Sequence, residues 1–220
     1  MSWSYTGPDP GLSLFTACLE AGAPMQFTPG MRVLEIGCCE ADWLHLAAAA
    51  WPACSFVGVD WRAPDVIDTK GRVERKKANA LEPDLFPAAS FDAVVSLSAI
   101  EHFGLGHYRE DPLDPDGDTH IMANCRRWLR PGGSMYFDVP FDPTRYYVQG
   151  TECRVYDWPA LHARVLAAWS GPLLWAGYAE AGAAGTLVVK PSAPVQPFHY
   201  IALVLGNRST LTPQDSGSSL

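Results

Sequence analysis

Apolar and polar positions alternate in blocks along the 220-residue chain. Met31–Ile36 is a short apolar run that ends at Gly37, and the Ala- and Leu-rich stretch Asp42–Ala50 follows it. The pair reads as a strand, a tight turn and a helix. Four further candidate strands are Ser55–Val59 closing on Asp60, Val73–Ala78 closing on Asn79, Phe91–Leu97, and Ser134–Val139 after the turn Arg130-Pro131-Gly132-Gly133. Helical or polar segments lie between them, notably Thr119–Leu129. Leu173–Tyr178 and His199–Leu205 read as a closing pair of strands, separated by the Pro-rich Lys190–Pro197 loop. Strands alternating with helices predict an α/β fold whose mostly parallel, seven-stranded, doubly wound sheet carries helices on both faces.

The length suits one such domain. Residues 1–30, mixed in Gly, Pro and aromatic residues with a short helix around Leu12–Ala21, are expected to form an arm or lid. Residues 31–205 hold the domain, and 206–220, rich in Ser, Thr, Pro and Gly, form a loose tail. The formal charge of −8 is spread along the chain, which disfavours a nucleic-acid partner because phosphate binding needs a positive surface. The one basic cluster, Arg72 to Lys77, reads as a solvated approach to a strand. Six cysteines show no CxxC spacing, so free thiols are expected instead of a zinc or redox motif. The chain opens without a basic and apolar leader and holds no run of about 18 apolar residues. A soluble, cytoplasmic protein without a membrane partner is the expectation, and oligomeric state is not written in the pattern.

In an open parallel sheet, ligands sit at the carboxyl ends of the strands, near the point where strand order reverses. Four such ends are expected to line one crevice: Glu35-Ile36-Gly37-Cys38-Cys39, Asp60, Asn79-Ala80, and Ser96-Leu97-Ser98-Ala99-Ile100-Glu101-His102. Asp60 follows Gly37 at close to the roughly 20-residue interval at which an acid meets a ribose diol in nucleoside-binding folds. Asn79 can offer its amide carbonyl to an adenine amino group, and Gly37 allows close approach of a ligand. Together these residues read as an adenosine site.

Val33-Leu34-Glu35-Ile36-Gly37, Val57-Gly58-Val59-Asp60, Phe91-Asp92-Ala93-Val94-Val95-Ser96 and Leu129-Arg130-Pro131-Gly132-Gly133 resemble, in order, the successive motifs of class I, Rossmann-like S-adenosylmethionine-dependent methyltransferases. The resemblance covers about residues 31–140, and more loosely the rest to Leu205. It implies that Glu35 and the Gly37-Cys38-Cys39 turn hold the methionine moiety, Asp60 the ribose, and Asn79 and Ala80 the adenine. Ser96, Leu97 and Ser98 would lie on the cofactor side of the fourth strand end. Trp61 would either flank the adenine or stand as a surface aromatic in a turn. Cys39 and Ala41 replace glycines that the family usually carries, a departure that weighs more against a dinucleotide, whose pyrophosphate needs the second glycine. Small residues filling a tight turn account for the adjacent Cys38 and Cys39 thiols better than redox or covalent chemistry does.

Ser98-Ala99-Ile100-Glu101-His102 resembles the strand-four ending of several small-molecule methyltransferases, placing Glu101 and His102 where acceptor and sulfonium meet. Methyl transfer is an in-line displacement in which the protein orients the acceptor and removes at most one proton. An imidazole suits that task for a hydroxyl acceptor. Some relatives hold a divalent ion with Glu-x-x-Glu-His. Here Ser98 stands at the first Glu, while Asp111, Asp114, Asp116, Asp118 and His120 offer hard ligands nearby. A divalent metal is thus possible but not favoured; the other reading of these acids is a Pro- and Asp-rich turn capping the helix from Thr119.

The string from Ile100 to Tyr108, the segment Asp111 to Asp118, and Cys153-Arg154-Val155-Tyr156-Asp157 also resemble an uncharacterised family of methyltransferase-like domains, some found with polysaccharide genes, with Cys153 in place of that family's His. This resemblance points towards a sugar or another hydroxylated small acceptor. His107, Tyr108, Arg145, Tyr146, Tyr147 and Arg154 would either shape the acceptor pocket or pack their loops. The competing expectations are a methyltransferase-like binding or scaffold protein without activity and, behind it, a nucleotide-sugar or NAD-linked enzyme.

Overall fold

The computed structural model describes residues 10–39, 42–62, 66–67, 71–107, 113–181, 187–190 and 199–207. Its main sheet contains β1 (Arg32–Ile36), β2 (Ser55–Asp60), β3 (Val66–Ile67), β4 (Val73–Lys77), β5 (Phe91–Ser96) and β6 (Leu129–Phe141). β7 (Tyr147–Gln149) and β8 (Cys153–Val155) form a separate hairpin, and β9 (Leu173–Ala181), β10 (Leu187–Lys190) and β11 (His199–Gly206) complete the sheet. Its strand order is β10-β9-β11-β6-β5-β1-β2-β4-β3. β6, β5, β1, β2 and β4 run parallel, whereas β3, β11, β9 and β10 add on antiparallel.

The seven strands implied by the sequence are present, with two short ones added to the sheet and two more in the separate hairpin. β3 has two residues, too few for a periodic signal. β10 is four residues that merge into the Pro-rich stretch. Arg130-Pro131-Gly132-Gly133, expected as a turn, is the exposed start of β6. There the pairing with β5 jumps from Phe91↔Leu129 to Ala93↔Ser134, so the extra residues bulge without ending the strand.

Period-two alternation explains how both faces are covered. Leu34, Ile36, Phe137, Val139, Ile201 and Leu203 point to one core layer, and Val33, Val95, Tyr136, Ala202 and Val204 to the other. α3 (Gly117–Trp128) lays Ile121, Met122, Cys125 and Trp128, a helical stripe, on the first layer. Behind it, α4 (Trp158–Ala160), a π-helical stretch (Leu161–Leu166) and α5 (Ala167–Trp169) add Leu161, Val165 and Trp169. α1 (Pro10–Glu20) and α2 (Asp42–Ala50) cover the second layer. Phe15 stacks or abuts Phe27, Trp43 and Tyr136 there at centroid distances of 4.8–6.4 Å, so the described part of the first thirty residues is built into the packing of the sheet. No helix among the described residues is long and apolar enough to cross a membrane.

Candidate active site

β1 is flanked by β2 on one side and β5 on the other, which makes the gap beyond the ends of β1 and β5 the topological switch point of the sheet. Gly37 turns the chain out of β1 with φ +79°, and a Cβ placed there would lie 2.4 Å from the Ala99 Cβ. The glycine is thus required by the approach of the two strand-end turns to each other. Cys38 is buried and seals the next gap, because a Cβ on Gly58 of β2 would stand 2.7 Å from the Cys38 sulfur. Burial, reinforced by Glu35 and Asp60, pushes the Cys38 thiol well above its ordinary range, so it stays a protonated packing group.

A cleft partly open to solvent lies over this switch point. Gly37, Asp60, Trp61, Asn79, Ala80, Ser98 and His102 line it, all singled out in the sequence, together with Val59, Arg62, Ala78, Leu81, Ala99, Phe103 and Gly104. Asp60 ends β2 with its carboxylate nearly buried. Oδ2 accepts from the Cys39 N–H at 3.1 Å and Oδ1 from the Arg62 N–H at 2.7 Å. The Arg62 guanidinium adds Nε to Oδ1 at 3.2 Å and Nη2 to Oδ2 at 3.3 Å. Asn79 folds its side-chain carbonyl back onto the Leu81 N–H at 3.0 Å, an Asx turn that fixes the loop after β4. The Trp61 Nε1 is buried and has no hydrogen-bond partner among the described residues.

On the opposite wall, the chain leaves β5 through Ser98, whose φ of +46° is rare for a residue with a side chain. The Asp138 carboxylate of β6 holds it there, accepting from the Ser98 N–H at 3.0 Å and hydroxyl at 2.7 Å. A 3₁₀ turn, Ile100–His102, follows. Glu101 points inward, 1% exposed, and its Oε2 finds no hydrogen-bond partner among the described residues. Burial, with Asp138 nearby, pushes its carboxyl well above the ordinary 4.5.

His102 lies at the cleft surface. Its Nδ1 is 2.5 Å from the carbonyl of Glu152, in the loop between β7 and β8. A carbonyl only accepts, so Nδ1 carries the proton and Nε2 the lone pair. Burial pushes the imidazole below its ordinary 6.5, against the upward pull of the Glu152 carbonyl and with added repulsion from His107, Arg62 and Arg154. The ring is therefore neutral at neutral pH.

The acidic loop serves the packing. Asp118, fully buried, accepts from the Tyr156 hydroxyl at 2.8 Å and from Arg164 Nη2 and Nε at 2.7 and 2.8 Å. Arg154 Nε lies 3.5 Å away. Asp114 pairs with His120 at 2.6 Å and accepts from the Asp116 N–H at 3.0 Å. Asp157 caps α4 through the Ala160 N–H at 2.8 Å. No three His, Cys, Asp or Glu side chains among the described residues come together to hold a metal ion. Asp111 and Tyr108 lie outside those residues, as does Ala41.

Several sequence candidates stand apart from the cleft surface. Glu35, Ser96 and Glu101 are buried, Leu97 packs against the second core layer, and Cys38 fills the gap over Gly58. Cys39 contributes its backbone N–H to Asp60. Tyr146 packs on Tyr156 at 5.9 Å, Arg145 sits over the Tyr147 ring at 5.1 Å, and Arg154 is 1% exposed. His107 stacks on His102 with centroids 5.9 Å apart. Arg62 and Phe103 were not singled out from the sequence. For Arg62 the signal was there, a cation two positions after a strand-end acid. The Glu152 carbonyl carried none, because any residue supplies one.

A family model described as a Caenorhabditis protein of unknown function, DUF268, matches residues 84–159, less than half of the chain. The chain is 30% identical over 125 residues to malonyl-acyl-carrier-protein O-methyltransferase of Paenibacillus sp. (strain JDR-2), across 52% of this chain and 40% of that protein. It thus spans under half the length of that relative. Among solved structures, the cyclase SpnF superposes with a TM-score of 0.60 at 14% identity, covering 90% of this chain and 82% of that one. Burkholderia thailandensis 1,6-didemethyltoxoflavin-N1-methyltransferase, with bound 1,6-didemethyltoxoflavin and S-adenosylhomocysteine, gives 0.55 at 15% identity, covering 91% and 80%. Geranyl diphosphate methyltransferase in complex with S-adenosylmethionine gives 0.59 at 13% identity, covering 90% and 85%. The chain has the Rossmann-like fold of the class I S-adenosylmethionine-dependent methyltransferases.

Proposed function

We propose that this chain transfers a methyl group from S-adenosylmethionine to a hydroxyl oxygen of a small molecule, a sugar or another hydroxylated metabolite. The observation that carries the reading is that Asp60 and His102 line the same cleft at the switch point of the sheet. An adenosyl ligand fits the residues present. The Asp60 carboxylate can accept from both ribose hydroxyls, and Val59, Ala78, Ala80 and Leu81 give an apolar wall for the base. Bound there, S-adenosylmethionine supplies a sulfonium-activated methyl. Across the cleft, the neutral His102 imidazole, with its lone pair on Nε2, can take the proton of an acceptor hydroxyl. Glu101, whose carboxyl burial pushes above its ordinary range, lies with Oε1 3.8 Å from His102 Nε2 behind the cleft surface. The relative named for O-methyl transfer to a malonyl group shares an oxygen acceptor in kind, although a malonyl oxygen is a carboxylate and not an alcohol, so the panel includes both classes.

The test is incubation of the purified chain with labelled S-adenosylmethionine and a panel of sugars, other alcohols, carboxylic acids and amines. Label in the alcohols that is lost in His102→Gln supports the reading. Transfer to amines or carboxylates alone would overturn the acceptor assignment.

A second reading is favoured by one observation: Arg62 already occupies the Asp60 carboxylate. A methyltransferase-like binding or scaffold protein, without turnover, would keep that pair closed. It predicts that S-adenosylmethionine fails to bind, or binds without transfer to any class in the panel.

A further inference from the structure

We infer that Arg154 is a positioning residue for His102, and that the hairpin of β7 and β8 is the frame that sets the orientation and tautomer of the imidazole. The inference rests on reading His102 as the base. Arg154 Nη1 donates to the carbonyl of Phe103 at 2.6 Å and reaches that of Glu101 at 3.4 Å. These are the residues on either side of His102. Its Nη2 donates to the Pro115 carbonyl at 3.1 Å, ahead of α3. The ring nitrogen of His102 is held by the Glu152 carbonyl, two residues before Arg154. One short hairpin thus grips both the main chain of the turn and the side chain it presents.

The hairpin is itself closed. Gln149 pairs with Cys153, the Glu152 N–H donates to the Gln149 carbonyl at 2.9 Å, and Gln149 Nε2 donates to Glu152 Oε2 at 3.1 Å.

A buried arginine held only for its ion pair would need one edge of the guanidinium. Asp118 is already served by both edge nitrogens of Arg164 and by the Tyr156 hydroxyl. What Arg154 alone supplies is the fork across the His102 turn. Lysine, a point charge on a flexible stem, cannot span two carbonyls and a third on the next loop in one fixed plane. Small displacements of a positioned group carry large rate costs, about 100-fold for 1 Å.

The test is nitrogen-15 NMR of the histidine side chains of the full chain across pH, with the His102 signals assigned by their loss in His102→Gln. The groups facing the ring, Glu101, Glu152, His107, Arg62 and Arg154, are all kept in the wild type. The wild type is expected to show one tautomer, protonated on Nδ1. Arg154→Lys is expected to show mixed tautomers and a titration moved towards the ordinary 6.5. Tyr156→Phe, which loosens Asp118 without touching the turn, should leave the His102 signals in place. Once an acceptor is in hand, Arg154→Lys should lower kcat by about 10- to 100-fold with KM kept.

A folded Arg154→Lys with wild-type His102 signals would overturn the inference. Should that variant not fold, the wild type still decides: a ring that carries its proton on Nε2, or averages between tautomers, overturns it too. None of these spectra needs cofactor or acceptor. Failure of the proposed function would appear separately, as a held ring in a chain that transfers no methyl group.

Discussion

On the Asp60 wall of the cleft, side chains are held mainly by neighbours close in sequence, whereas the His102 wall is assembled from segments far apart. Arg62 reaches Asp60 across two positions and Leu81 reaches Asn79 across two. His102 meets Glu152 across 50 positions, Arg154 meets Phe103 across 51, and Arg164 meets Asp118 across 46. The Asp60 wall is formed by strand ends and the turns that leave them. The other wall exists only when the chain after β6 folds back on α3. Changes to the ligand-facing side chains of the first should therefore read out mainly as altered ligand affinity, and damage to the second as lost stability or lost orientation.

The largest expected effect tests the far wall. Asp118→Ala leaves Arg154 buried beside an emptied carboxylate position and removes the partner of Arg164 and Tyr156. It should cost about 3–5 kcal/mol in denaturant unfolding, and a loss within the range of surface substitutions would show that the network is not what joins α3 to the hairpin. His102→Gln comes next, with transfer to a hydroxyl falling at least about 100-fold while cofactor affinity stays unchanged. The pH dependence has a defined sign. Only the neutral ring accepts a proton, so the wild-type rate should be level above 6.5 and fall with a midpoint below it, since burial lowers the value. A midpoint above 6.5 would contradict the buried setting of the ring.

On the near wall, Gly37→Ala forces a side chain into left-handed backbone and against Ala99. A destabilisation of about 1–3 kcal/mol is expected in the same unfolding assay. A neutral outcome would mean that the turns after β1 and β5 are not in firm contact. The smallest effect is that of Arg62→Ala. Its ion pair with Asp60 is 36% exposed on the arginine side, so its release should tighten nucleoside binding by roughly 2- to 5-fold, the scale of an exposed pair. Weaker binding would make Arg62 a ligand contact instead of a competitor.

The same contrast explains what was legible in the sequence. Strand ends announce themselves, because an apolar run stopping at Gly37 or Asp60 is a local pattern, and both residues line the cleft, as does Asn79 beyond the charged strand Val73–Lys77. His102 was legible by residue type and position. Its orientation was not, since that depends on a backbone carbonyl of Glu152, to which every residue type is equivalent. Arg154 and the acids of residues 114–118 stood out as composition, yet their meaning came from pairing: Arg154 and Tyr156 both meet Asp118. Ser98, Glu101 and Ser96 were placed at the right strand end, but a period-two strand and a 3₁₀ turn send alternate side chains inward, and neither Ser96 nor Glu101 reaches the cleft surface. The strands β3, β7, β8 and β10 escaped notice because two to four residues carry too little periodicity.

The central claim is an adenosyl site centred on Asp60, and isothermal titration of the folded chain with S-adenosylmethionine and S-adenosylhomocysteine tests it most directly. The account predicts binding of both in the micromolar range by the wild type, and a loss of about 10-fold or more in Asp60→Ala as charge-assisted hydrogen bonds to the diol disappear. Absence of binding by the folded wild type, or equal binding by Asp60→Ala, would contradict it.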